Sequence, residues 1–257
     1  MRDVGLLAMA VALAGSAKAA TLTHDYAFNA ASTSVITDTV GGANGTLQGG
    51  ATVSGGLLHL DGIDDYAQLS SFAVPTTGGA YSLCVKYQNH TSQSGIVEMV
   101  SQGASAGPGF YLGQFRDGNV RLADQFYLGI PAPFPSDGGV HDILLNSDTG
   151  STRVFVDGAL VFSASQYLYS PFAGTATRFG AQFGPHGEYF QGDLDRVRIY
   201  TGLAKVSEAR SSPSGIPEPT AWSLMLAGLG ALGGAMRTRG KPRRPHVYVD
   251  RSRGSFG

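Results

Sequence analysis

Five Asn-Gly or Asp-Gly dipeptides, beginning at Asn44, Asp61, Asp117, Asp137 and Asp157, punctuate the middle of this 257-residue chain. Gly, Asn and Asp all tolerate positive φ, so each pair favours a tight reversal. Between the reversals lie short runs of Val, Thr, Tyr, Phe and Leu, and no amphipathic helix interrupts the stretch from Ala20 to about Arg210. Arg153–Val156 meets Ala159–Phe162 across Asp157-Gly158, a two-residue loop that matches strand twist. Leu112–Phe115 and Val120–Leu122 flank Arg116-Asp117-Gly118-Asn119 in the same way. Composition predicts further strands over Thr23–Phe28, Leu57–Leu60, Tyr66–Leu69, Tyr81–Tyr87 and Gly95–Ser101. Val140–Leu145, Ala176–Phe183 and Tyr189–Tyr200 complete the set. The expectation is an all-β fold, a two-sheet antiparallel β-sandwich or jelly roll of about a dozen strands. Leu203–Arg210 is expected to add one short helical turn that closes the domain over residues 20–210.

The two ends follow other rules. Arg2, an apolar run from Val4 to about Gly15, and Ala17-Lys18-Ala19 have the order of a signal peptide, with cleavage after Ala19. Residues 211–215, Ser-Ser-Pro-Ser-Gly, read as a flexible linker. Pro217-Glu218-Pro219 follows, then an uncharged, mostly apolar stretch, Ala221–Met236, then a basic tail over residues 240–257. About sixteen residues at helical rise cover only about 24 Å, short of a typical hydrocarbon core. Arginines on its C-terminal side fit the positive-inside pattern and leave the β domain outside. The expectation is transient inner-membrane anchoring through Ala221–Met236.

Charge and cysteine content narrow the function classes. The chain carries a formal charge of −1, but residues 20–236 hold nine Lys/Arg against seventeen Asp/Glu, a net of −8. An acidic domain repels a phosphate backbone, which argues against nucleic-acid binding. Cys84 is the single cysteine, so no intramolecular disulfide forms, and its strand-like surroundings read as a buried structural thiol.

Pro217-Glu218-Pro219, the apolar stretch after it, and Arg237 with Arg239 together resemble a PEP-CTERM sorting signal over residues 216–239. The resemblance implies an envelope protease acting near Pro217–Pro219 and delivery to the cell surface or an exopolysaccharide matrix. In the β domain, Tyr26-Ala27-Phe28-Asn29 looks like the opening strand of the LamG-like, concanavalin A-like jelly rolls, a family that the domain resembles. Asn44-Gly45-Thr46-Leu47 and Leu60–Tyr66 look like its N-G-T-L and D-G-x-D-D-Y region, and Val154–Leu160 like its central hairpin. Gly192–Tyr200 resembles its closing strand, with Arg196 where Glu is usual. That fold hosts lectins, adhesion modules and glycosidases alike, so function has to come from the site.

Catalytic patterns are poor. Gly103-Ala104-Ser105-Ala106-Gly107 matches G-x-S-x-G, but that motif needs a strand-to-helix turn, and Pro108-Gly109 follows at once. Glycosidases need two carboxylates across a cleft. Asp193 and Asp195 share one side of a predicted strand, yet relatives with glucanase activity carry clustered glutamates that are absent here. His24, His59, His90, His141 and His186 are scattered, without zinc spacing. Asn-x-Thr sequons begin at Asn44 and Asn89, where turns account for them equally well. Calcium is the ion that carboxylate oxygens would suit. The resemblance implies a site on one face of the sandwich in some relatives, with Asp195 the first candidate ligand and Asp61, Asp64 and Asp65 the next. Sugar binding needs exposed aromatic platforms, and two clusters qualify by sequence: Phe126, Tyr127 and Phe134, and Tyr167, Tyr169 and Phe172. The expected function is a non-catalytic, exported module that binds carbohydrate or matrix polymer. The alternatives are a protein-binding matrix adhesin without a sugar site, or a divergent glycosidase.

Overall fold

In the computed structural model, the described residues are 19–90, 93–103, 109–123, 127–168, 174–184 and 186–211. Residues 1–18 of the expected signal peptide, Pro217-Glu218-Pro219, Ala221–Met236, Arg237 and Arg239 lie outside them. The chain divides into two units, Met1–Arg210 and Ser211–Gly257, and all the strands and the helix belong to the first.

Period-two burial drives the architecture. In Leu57–Asp61 the side chains of Leu58 and Leu60 are buried, and in Tyr66–Leu69 those of Ala67 and Leu69, while their neighbours turn outward. Such alternation suits strands with one face on a core. Among the described residues, sixteen strands result. They begin with β1 (Thr21–Tyr26), β2 (Val35–Ile36), β3 (Gly45–Gln48), β4 (Thr52–Ser54), β5 (Leu57–Asp61) and β6 (Tyr66–Leu69). The middle of the chain supplies β7 (Tyr81–Asn89), β8 (Val97–Gly103), β9 (Gly109–Gln114), β10 (Asn119–Ala123) and β11 (Tyr127–Pro133). The last are β12 (Val140–Asp148), β13 (Ser151–Val156), β14 (Ala159–Ala164), β15 (Thr175–Phe179) and β16 (Gln191–Thr201), followed by the helix α1 (Val206–Arg210).

The strands form two antiparallel sheets. The first runs β14-β13-β12-β7-β16-β5-β4, with β1 also paired to β16. The second runs β11-β10-β9-β8-β15-β6-β3-β2. Leu83, Val85, Leu194 and Val197 of the first sheet and Met99, Val100, Leu112 and Phe179 of the second belong to one core cluster. Tyr26 meets Phe179 edge-on at 4.8 Å, tying β1 to β15 across the sandwich. Each fully buried large side chain contributes about 1.5–3 kcal/mol. The expected β-sandwich is therefore present.

The sequence reading falls short at small or unusual strands. β2, β3 and β4 have too few residues to show a period. Pro131 and Pro133 make Tyr127–Pro133 read as a loop, yet β11 sits at a sheet edge, where a missing N–H is tolerated. At the β13–β14 turn, Asp157 and Gly158 take φ of 50° and 83°, the left-handed pair that such a hairpin requires.

The helix α1 closes the domain against β7 and β12. Cys84 Sγ donates to the Ala209 carbonyl at 3.6 Å, and the Arg198 guanidinium donates to the carbonyls of Glu208 and Ala209. Arg210 bonds the Asp142 carboxylate at 2.9 Å and the Asp157 carbonyl at 2.9 Å.

Candidate functional site

The outward face of the second sheet gathers aromatic rings and guanidinium groups. Because Ala67, Phe179, Phe110 and Leu122 point into the core, Tyr66, Arg178, Tyr111 and Arg121 point away from it. Sheet order sets β15 beside β6, so Arg178 stands opposite Gln68, and its guanidinium lies over the Tyr66 ring at 4.6 Å. Arg178 Nε donates to Gln68 Oε1 at 2.7 Å, and a terminal nitrogen donates to the Gln182 carbonyl at 2.8 Å. Tyr189 sits beside Tyr66, with ring centroids 6.5 Å apart. Further along the same face, Arg121 lies 4.4 Å over the Tyr111 ring, and Tyr111 packs on Phe183 at 5.0 Å. Tyr66, Tyr111, Arg121, Arg178, Glu188 and Tyr189 are all partly exposed.

Beneath this strip lies a buried carboxyl. Glu98 of β8 is fully buried and bonded to Arg121, which also reaches Glu188 at 3.0 Å. Burial pushes the Glu98 carboxyl well above its usual range; Arg121 opposes that shift and Glu188 reinforces it. Glu188 takes a left-handed φ of 49°, and its carbonyl accepts the Glu98 amide at 2.9 Å, which anchors the 186–190 segment on β8. Glu98 and Glu188 form a carboxyl pair, but full burial of Glu98 denies it a substrate.

A second constellation lies where β5 leads into β6. Asp61, Asp64 and Asp65 each offer a carboxylate oxygen, and these lie within 4.8 Å of one another. Asp65 is buried and accepts the amides of Gly50 at 2.5 Å and Asp61 at 2.9 Å. Burial raises the Asp65 pKa, and the charges of Asp61 and Asp64 raise it further, while the two amides pull it down. Clustered hard oxygens of this kind can coordinate a divalent cation. A cavity of about 340 Å³ adjoins the cluster, lined in part by Asp61, Asp65, His59 and His90. His59 Nδ1 and His90 Nε2 each lie 2.7 Å from one oxygen of the buried Asp193. Ser54 Oγ lies 2.8 Å from His59 Nε2, so Ser54, His59 and Asp193 stand in the order of a hydrolase relay. Ser54, however, is exposed, does not line the cavity, and its own carbonyl sits 3.2 Å from His59 Nε2. The three residues cross-brace β4, β5 and β16.

Several expected site residues are placed otherwise. Asp195, the first candidate metal ligand, pairs with Lys86 at 2.5 Å on the surface. Phe134 is buried and stacked on Tyr87 at 5.2 Å, which removes it as a sugar platform. Tyr167 is half-buried: its hydroxyl donates to the carbonyls of Thr77 and Gly79, and its ring meets Tyr81 edge-on. Tyr127 opens β11, where the description extends to the backbone alone. Phe126, Tyr169 and Phe172 lie outside the described residues, as does Ser105 of the G-x-S-x-G stretch. The strip built on Tyr66, Arg178 and Tyr189 escaped the sequence reading, because its members come from β6, β15 and the segment before β16. Outward alternation in Tyr66–Leu69 was the available signal.

The family described as the concanavalin A-like lectin/glucanases superfamily matches residues 61–209. No curated protein matches the chain. Among solved structures, domain 4 of AbnA, a GH43 extracellular arabinanase from Geobacillus stearothermophilus in complex with arabinotriose, superposes with a TM-score of 0.62. The identity is 20%, covering 75% of this chain and 98% of that one. The sialidase of Trypanosoma rangeli superposes with a TM-score of 0.56 at 16% identity, covering 74% of this chain and 32% of the enzyme. At these identities the likeness shows the fold alone.

Proposed function

We propose that this chain, which belongs to the concanavalin A-like lectin/glucanases superfamily, is a lectin-like, non-catalytic module that binds an extracellular polysaccharide through the outward face of its second sheet. The observation that carries the reading is the strip of partly exposed rings and guanidinium groups, Tyr66–Arg178–Tyr189 and Tyr111–Arg121. Sugars present axial C–H faces and hydroxyls, which flat rings and fixed donors match. Buried partners hold these side chains in place, so little ordering entropy is lost on binding. The Asp61–Asp64–Asp65 cluster is read as a calcium site that stiffens the β5–β6 loop leading into Tyr66. Delivery follows the sequence: export by residues 1–19, then sorting at Pro217-Glu218-Pro219 to the envelope or exopolysaccharide matrix.

The test is retention of the exported protein on a panel of neutral and acidic insoluble polysaccharides, with calcium and with EDTA. Selective retention, weakened at least tenfold in Tyr66→Ala or Tyr189→Ala variants that still fold, is the expected result. No retention on any polymer by a folded sample would overturn the reading and favour a protein-binding matrix role.

A further inference from the structure

Five arginines of the β domain are partly or fully withdrawn from water or engaged at its closing helix, and four of these meet a carboxylate. Arg121 meets Glu98 and Glu188, Arg196 and Arg198 meet Asp25, and Arg210 meets Asp142. The fifth, Arg178, is partly buried and has no carboxylate partner among the described residues. Its neighbours are neutral: Gln68 Oε1, the Gln182 carbonyl and the Tyr66 ring. Among the described residues, a domain with an excess of acidic groups thus gives Arg178 no carboxylate on the face that carries its partly exposed rings. Withdrawing a cation from water without an opposite charge is costly, unless a ligand supplies that charge.

The local build fits such a ligand. Nε and one terminal nitrogen are tethered by acceptors from β6 and from the segment after β15, which fixes the guanidinium plane against Tyr66. The remaining nitrogen makes no hydrogen bond to a described residue. Gln68 is itself immobilised, since its side-chain nitrogen donates to the carbonyls of Ala176 and Thr177. A planar, pre-oriented guanidinium recognises a carboxylate by charge-assisted hydrogen bonds. Tyr189, next to Tyr66, supplies an apolar surface on which a sugar ring carrying that carboxylate can rest.

We propose that the polysaccharide bound on this face is a uronate polymer, with Arg178 receiving the sugar carboxylate beside Tyr66 and Tyr189. The inference rests on the carbohydrate-binding reading and narrows it to acidic sugars.

Affinity electrophoresis of the exported protein tests it, using polygalacturonate and alginate, each beside its carboxyl-reduced neutral form, with a neutral arabinan and a neutral glucan as references. The expected result is at least tenfold stronger retardation by a uronate polymer than by its reduced form. That preference should fall as salt rises from about 0.05 to about 0.5 M, and should vanish in Arg178→Gln. Arg178→Lys, which keeps the charge but not the planar fork, should recover only part of it, and matched melting curves establish that both variants fold. Retardation by neutral polymers with no uronate preference, or a preference unchanged in Arg178→Gln, would overturn this inference and leave carbohydrate binding standing. No retardation by any polymer would remove both.

Discussion

His59 and Asp193 are 134 residues apart in sequence and 2.7 Å apart in the fold, joined where β5 pairs with β16. The same carboxylate takes His90 on its other oxygen, so one buried aspartate ties three segments together. Its surroundings resemble a catalytic relay in order only. If the arrangement is structural, Asp193→Asn should lower stability by about 1–3 kcal/mol in urea denaturation, since a buried acceptor pairing two rings is lost. Ser54→Ala, at the exposed end of β4, should stay within about 0.5 kcal/mol of the parent. Ester hydrolysis above background that disappears in Ser54→Ala would contradict the structural assignment.

Asp38 organises the loop between β2 and β3. It accepts the amides of Asp25, Val40, Gly41 and Ala43, and lies 2.7 Å from His24 Nδ1. Burial works against the charged form, but His24 and the backbone donors prevail and hold its pKa down to about 2. A depressed carboxyl contributes stability that is complete above its unfolded value and is lost as pH falls through the folded one. Acid titration should therefore show a loss of about 2 kcal/mol between about pH 4 and pH 2 that is missing from Asp38→Asn.

Glu98 has the opposite sign. Its pKa is raised by burial, so the folded state holds a proton that the unfolded chain releases, and this contribution weakens as pH rises above the ordinary glutamate range. Glu98→Gln copies the protonated form. Its melting temperature should match or exceed that of the parent at pH 8 and show a flatter pH dependence. A variant that is much less stable at pH 8 would mean that the ionised pair with Arg121 is the stabilising state.

His141 sits between Asp137 at 2.8 Å and Asp157 at 2.8 Å. Burial disfavours the charged ring, but both carboxylates outweigh it and raise the His141 pKa. A raised imidazole stabilises fully below its unfolded value and loses that contribution as pH climbs through the folded one. Thermal melts from pH 6 to pH 9 should decline in the parent and decline less in His141→Gln.

Cys84 lies beneath Ala209, with burial pushing its thiol up to about 12. Thiol reagents should therefore leave the native protein unmodified at pH 8, with labelling appearing only on unfolding or when α1 lifts. Deleting the Arg210 contacts with Arg210→Ala should speed labelling without changing the rate in urea.

Much of the sandwich was legible because its information is local. Alternation in Leu57–Asp61 and Tyr66–Leu69 reports a buried face wherever those strands end up. Asp157-Gly158 dictates a left-handed turn from two residues alone. Phe134 and Asp195 show where local reading stops. Neither residue's neighbours in sequence report that Phe134 stacks on Tyr87 or that Asp195 pairs with Lys86, because both partners come from β7.

The sequence by itself determined which residues become strands, where the chain reverses and which side chains need burial, because φ preferences and period-two patterning act over a few neighbouring residues. Only the tertiary structure decided that β15 inserts between β8 and β6, which sets Arg178 on Tyr66 and beside Gln68, 110 residues away. Strand order depends on how two sheets share one core. No local pattern records which distant strand will lie alongside, so the face of rings and guanidinium groups appears only once the sheets are assembled.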